Sequence, residues 1–167
     1  MSDDRVLDQL YAWLEEAIKL RHGPDAAGNI LYVPDYAEGP AAFVEQLIQA
    51  RMRADRVEEL LSQTKRVRRK LQGIRQDAAD TAADKLDQSL AEGAASAREY
   101  SLGVERKAEA NLKSFAEKRA ERQAQRRVDA ADEVVEAIND AHWGLSGWRN
   151  DMRDIVRSFQ LESNLER

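Results

Sequence analysis

The sequence lacks cysteine altogether, and its three prolines, Pro24, Pro34 and Pro40, all fall within one short stretch. A chain without cysteine has neither disulfide bonds nor thiolate ligands for a metal, which is typical of cytoplasmic proteins. No apolar run approaches the roughly 18 residues that a membrane helix needs, and the first ten residues show no secretion leader. We therefore expect a cytoplasmic protein without a membrane partner.

Signatures of catalysis are also missing. The sequence has no glycine-rich phosphate loop, no histidine pair at metal-binding spacing, and no serine in a recognisable nucleophile motif. We expect a protein that binds a partner and is not an enzyme, with no cofactor and no metal.

The net charge of −5 conceals blocks of alternating sign. Residues 1–50 carry −6, residues 51–76 carry +6, residues 77–112 carry −4, residues 113–127 carry +4, and residues 128–167 carry −5. An acidic protein can still present a basic surface to a polyanion if folding brings its positive blocks together.

Helical periodicity predicts an all-α fold. Residues 1–40 are expected to form a short amphipathic helix that ends near His22, followed by a loop with a short extended piece at residues 30–33. No proline follows residue 40, so residues 41–167 are expected to form a second region, a long antiparallel helical hairpin. Its two helices should span about 41–92 and 104–162, with the turn near residue 98. At the start of the second helix, an alanine-rich stripe at steps of four, from Ala108 to Val128, should allow close helix packing.

A heptad seam runs through the end of the chain. Apolar residues follow there at alternating steps of three and four, the pattern of a helix that supercoils against another. The seam comprises Val134, Ile138, Leu145, Trp148, Met152, Ile155 and Phe159, with the small residues Ala131 and Ala141 at its remaining positions. Because a bare hairpin has little globular core to cover such a seam, we expect a homo-oligomer.

The stretch HWGLSGW, residues 142–148, lies in the middle of this seam. Trp148 falls on the seam, which favours a packing role, whereas Trp143 falls off it and could be exposed for a partner or a base. Glycine inside a helix costs roughly 1 kcal/mol relative to alanine, so Gly144 and Gly147 suggest a closely approaching helix or a kink.

The two basic blocks are the strongest functional signal. In a hairpin that turns near residue 98, residue 70 lies opposite about residue 126, so the blocks should form one patch suited to nucleic-acid phosphates. Since the patch has no aromatic residue among its cations, sequence preference should be slight. Equally, the same cations could line a solvated helix face or pair with acidic blocks of another subunit. The candidate nucleic-acid-binding residues are Lys65, Arg66, Arg68, Arg69, Lys70, Arg75, Arg119, Arg122, Arg126 and Arg127.

Two stretches of the hairpin carry a family resemblance. The segments EYSLGVERKAEANLK (residues 99–113) and DAHWGLSGWRNDMRDIVRSFQLESNLE (residues 140–166) resemble the small phage recombination mediators of the UvsY type. The resemblance covers roughly residues 41–167 and assigns no individual site. It implies an oligomeric all-helical protein that binds single-stranded DNA, helps to displace single-strand-binding protein and loads a RecA-like recombinase.

The expected function is therefore that of a DNA-recombination accessory protein with single-stranded DNA as its ligand. Two other classes stay open from the sequence. One is a phage or prophage structural protein, scaffold-like and built on a coiled coil, and the other is a helical adaptor subunit.

Overall fold

The computed structural model of the protein describes residues 3–22, 34, 36–96 and 103–165. The regular elements in these ranges are all helical, which confirms the predicted all-α class. They are α1 (Asp3–His22), a 3-10 turn (Tyr36–Glu38), α2 (Pro40–Ser96), α3 (Gly103–Lys113) and α4 (Phe115–Leu165). Within the described ranges, no helix combines the length and the apolar character that crossing a bilayer requires.

The start of α2 follows from two adjacent residues. Gly39 has a φ of 81°, a left-handed conformation that favours glycine, and its amide donates to the carbonyl of Tyr36 at 3.2 Å. Pro40 then begins the helix, where its fixed φ suits the first turn and its missing N–H is not needed. The extended piece predicted at residues 30–33 and the tip of the hairpin at residues 97–102 lie outside the described residues.

The chain divides into two compact units, with bounds that differ from the division at residue 40 suggested by the sequence. The first unit comprises residues 1–65 and 133–167, and the second comprises residues 66–132. Both boundaries fall inside helices, at Lys65 in α2 and at Asp132 in α4.

The first unit packs α1, the beginning of α2 and the end of α4 together as three helices. Arg56 in α2 donates to Glu16 in α1 at 2.7 Å and to Glu59 at 2.6 Å. These two bonds raise the pKa of the Arg56 guanidinium above its usual range. The ring of Phe43 in α2 lies 5.4 Å from that of Phe159 in α4, and each ring also contacts Tyr36. All three helices therefore contribute to one core.

The predicted heptad seam forms part of this core. Its residues are buried as far as Met152, and Ile155 and Phe159 are half-buried. The same unit also buries Leu10 and Ala17 of α1 and Phe43, Val57 and Leu60 of α2. The seam is therefore covered within one chain. An uncovered seam was the reason to expect a homo-oligomer, and that reason no longer applies. The homo-oligomer therefore stays a prediction.

The second unit is built from the remainder of α2, from α3 and from the beginning of α4. Its core is thin and made of small side chains, with Leu71, Ala82, Ala110, Ala124 and Val128 among its buried apolar residues. The predicted alanine-rich stripe is wrong for most of its length. Steps of four drift around a helix of 3.6 residues per turn, and Ala108, Leu112, Ala116 and Ala120 are exposed.

The predicted close approach of a neighbouring helix is contradicted at Gly147, whereas Gly144 does lie against a side chain of α1. A Cβ atom added at Gly147 would meet nothing within 4 Å, and one added at Gly144 would meet only the side chain of Arg21, with Nε at 3.3 Å. Neither glycine therefore lies at a close backbone crossing among the described residues, and α4 passes through both positions as helix.

The two tryptophans of HWGLSGW should differ sharply in their effect on stability. Trp148 is 9% exposed and Trp143 is 67% exposed. We expect Trp148→Ala to lower the free energy of unfolding by about 3 to 5 kcal/mol, because it leaves a cavity in the three-helix core. Trp143→Ala should change it by less than about 0.5 kcal/mol. Urea unfolding followed by circular dichroism measures both, and equal small effects would show that Trp148 does not belong to the core.

Gly147→Ala should stabilise the protein. The added methyl group has free space, and alanine in a helix interior is favoured over glycine by about 1 kcal/mol. The same unfolding measurement should therefore show a gain approaching that value. A loss of stability would indicate that the helix departs from regular geometry at this glycine.

Candidate nucleic-acid interface

The register of the second unit differs from the predicted one by about one helical turn. A turn near residue 98 would place residue 128 opposite Arg68, whereas Arg68 in α2 forms an ion pair with Asp132 in α4. The first basic block therefore lies level with acidic residues of α4, and the second block lies level with residues beyond Lys70. Relative to the predicted alignment, this ion pair displaces the two blocks by about four residues, or roughly 6 Å along the helices.

Helix geometry gathers part of the second basic block on one face of α4. Phe115, Arg119, Arg122 and Arg126 follow steps of four, three and four, which places them within about 60° of one another around the helix axis. All four side chains are exposed. The buried residues Ala124 and Val128 lie on the opposite side of the helix. We call these four residues the arginine face of α4, and it points away from the packed side of the second unit.

The same geometry removes acidic residues from this face. Glu117 and Glu121 interrupt the basic block in the sequence, but both are half-buried and lie on the packed side of α4. The nearest carboxylate along the face is Asp129, one turn beyond Arg126, where it accepts a hydrogen bond from Gln125 at 2.6 Å. Between residues 115 and 126 the arginine face therefore carries cations without an acidic residue.

The first basic block contributes a separate surface on α2. Arg66, Arg69 and Lys70 are exposed and lie opposite the buried Leu71 and Ala82 around the helix axis. We call these three residues the basic face of α2. Since α2 and α4 turn their packed sides toward each other in the second unit, their outer sides point in opposite directions, which separates the two groups of cations that the sequence places in one patch.

Further along α2, the outer side becomes acidic. It carries four exposed aspartates at steps of three, four and three, on the same side of the helix as the basic face. These aspartates, which we call the acidic face of α2, are Asp77, Asp80, Asp84 and Asp87. The second unit thus has an arginine side on α4, whereas the outer side of α2 is basic at residues 66–70 and acidic at residues 77–87.

The remaining predicted residues lie on neither face. Lys65 is exposed but belongs to the first unit. Arg68 is half-buried in its ion pair with Asp132, Arg127 is half-buried, and Arg75 is exposed on the side of α2 away from Arg66. Of the ten predicted cations, only Arg119, Arg122 and Arg126 share a face with an aromatic residue.

That aromatic residue, Phe115, was missed by the sequence analysis. It follows Ser114, a single turn residue that separates α3 from α4, although helical i→i−4 hydrogen bonds continue across it. Ser114 is buried, its amide donates to the Ala110 carbonyl at 3.0 Å, and its carbonyl accepts from the Lys118 amide at 3.1 Å. Its hydroxyl donates to the Asn111 carbonyl at 3.3 Å, a type of bond that bends helices. Phe115 follows directly and is 55% exposed.

A groove runs along the arginine face. It has a volume of about 390 Å³ and is lined by Phe115, Arg119, Arg122, Gln123 and Arg126. The guanidinium carbon of Arg122 lies 6.0 Å from the centre of the Phe115 ring, at the outer limit of a cation–π contact. The groove combines an aromatic surface with three positive charges, which suits a ligand that is both planar and anionic.

Among the described residues, no group of three or more histidines or carboxylates is placed to hold a metal ion. The ring of the exposed Trp143 lies near that of its neighbour His142, with 6.2 Å between the ring centres. The groove on α4 is therefore the better defined candidate site.

Comparison of the chain with protein-family models, with curated proteins and with solved structures found no match. The resemblance to UvsY-type recombination mediators therefore stays a hypothesis.

Proposed function

We propose that the protein binds single-stranded DNA through the arginine face of α4 and acts as a non-enzymatic accessory protein in DNA recombination. The observation that supports this proposal most strongly is the distribution of charged residues around α4. Three arginines share one exposed side of α4, and the acidic residues of the same block lie on the other side. A row of guanidinium groups spaced along a helix matches phosphates spaced along a nucleic-acid strand.

The length of the face sets the scale of the interaction. Residues 115 and 126 are 11 positions apart, which corresponds to roughly 17 Å along the helix axis. Three arginines on this length can neutralise about three phosphates, far fewer than the ten cations of the predicted patch would reach. Affinity for one chain should therefore be modest and strongly dependent on salt.

The recombination role comes from the family resemblance. In that role, the DNA-bound protein would help to displace single-strand-binding protein and load a RecA-like recombinase onto the strand. The acidic face of α2 supports such a role, because a protein partner could bind on the α2 side of the second unit while DNA is bound on the α4 side. We propose both proteins as partners on this basis.

A second candidate function, assembly of a scaffold or adaptor, is favoured by one observation in the first unit. Val44, Ile48 and Met52 form a stripe at steps of four along α2, with 41%, 53% and 63% of their surface exposed. A contiguous exposed apolar stripe marks a surface for another protein. This role is compatible with DNA binding, since the stripe and the arginine face belong to different units.

Reversing the charge of the arginine face should abolish binding to single-stranded DNA. The test variant carries Arg119→Glu, Arg122→Glu and Arg126→Glu. Fluorescence anisotropy with a labelled oligonucleotide should show a loss of about 100-fold or more at low salt. For the unmodified protein, the logarithm of the binding constant should fall with the logarithm of salt concentration at a slope of roughly −2, from about −0.7 per phosphate neutralised.

The matched control reverses the basic face of α2, with Arg66→Glu, Arg69→Glu and Lys70→Glu. It makes the same change in net charge at equally exposed positions, on the opposite side of the unit. We expect it to weaken binding only a few-fold, and circular dichroism should show equal helicity in both variants. An equal loss in both would support the single patch predicted from the sequence, and no binding by the unmodified protein would exclude the proposed function.

The assembly role predicts that Ile48→Glu dissociates any oligomer. A glutamate in the middle of the apolar stripe would place a charge in the interface, while the three-helix core is untouched because Ile48 is 53% exposed. Light scattering at micromolar concentration measures the mass of both proteins. An unchanged oligomer in the variant would show that the stripe is not the interface, and a monomeric unmodified protein would exclude self-assembly.

A further inference from the structure

We propose that the groove on α4 is a binding site for an unpaired nucleotide, in which the base stacks on Phe115 and the flanking phosphates pair with the arginines. This inference deepens the proposed function and rests on it. It adds to phosphate binding a contact with the base itself, and therefore a preference for single-stranded over duplex DNA.

The exposure of Phe115 is the first observation. It projects a phenyl ring 55% into solvent from the beginning of a helix whose neighbouring positions on that face are charged. Leu112, one turn earlier in α3, is 74% exposed but does not line the groove. Phe115 is thus the residue that gives the groove an aromatic surface.

The position of the arginines relative to this ring is the second observation. Arg119 and Arg122 follow Phe115 by one and two turns on the same face, and Arg122 lies toward the ring, 6.0 Å from its centre. Arg126 extends the row by one more turn. A strand along the helix would therefore meet the aromatic ring at one end of the groove and cations over the following turns.

An unpaired strand fits these two observations better than a duplex. In a duplex, the faces of each base are covered by its neighbours, and only phosphates and groove edges are accessible to a helix surface. An unpaired base offers its face for stacking, and base–aromatic stacking tolerates any sequence because every base has a π face. The expected result is a structural preference without sequence specificity.

The experiment separates the base from the phosphates. Binding is measured by anisotropy for three labelled probes of about 15 nucleotides, namely oligothymidine, an abasic strand with the same phosphates, and a duplex. The full-length protein should bind oligothymidine roughly tenfold more tightly than the abasic strand. In Phe115→Leu this difference should disappear, with affinity for the abasic strand changed less than twofold. Phe115→Tyr should retain the difference.

Leu112→Ala is the matched control, since it removes an exposed apolar side chain of the same unit outside the groove, and it should behave as the unmodified protein. If the protein binds oligothymidine with the expected salt dependence but Phe115→Leu keeps the full difference between the two strands, the stacking site is wrong while the proposed function stands. If no probe binds and an acidic peptide containing an aromatic residue does, both are overturned in favour of a protein ligand.

Discussion

The packing of α2 against α3 and α4 in the second unit determines which charges share a surface. Each helix buries one narrow side of small residues, such as Ala82 on α2 and Ala124 on α4, and the remaining sides face solvent. The Arg68–Asp132 ion pair marks the register but is half-exposed, and such pairs contribute little to stability. The apolar contacts therefore fix the arrangement, and the charged faces follow from it.

The opposite placement of the two charged sides explains how an acidic protein could bind a polyanion. Helix axes in contact lie about 8 to 10 Å apart, so charges on the two outer sides are separated by roughly 20 Å or more. At physiological ionic strength the Debye length is about 8 Å. The aspartates of α2 are therefore screened from a ligand on α4, and the local charge of the arginine face counts more than the net charge of −5.

Periodicity predicted the helices and the seam correctly, because both depend on spacing along the chain. α1 ends at His22 as predicted, and the seam residues from Val134 to Met152 are buried. The joint basic patch was inferred from blocks of charge without assigning each residue to a face of its helix, and the faces of α2 and α4 point to different sides of the unit. Steps of four, three and four from Phe115 to Arg126 could have identified the arginine face, and with it the aromatic residue. The register could not be predicted to one turn, since the alanine-rich sides of the second unit allow several alignments with similar burial.

Photo-cross-linking tests the central claim, that DNA follows the α4 side of the second unit, most directly. A single strand containing a photoreactive base analogue is cross-linked to the full-length protein, and the attached peptides are mapped by mass spectrometry. The account predicts cross-links within residues 115–126, concentrated at Phe115. Cross-links concentrated at residues 66–70 of α2, or spread evenly over both sides, would contradict it.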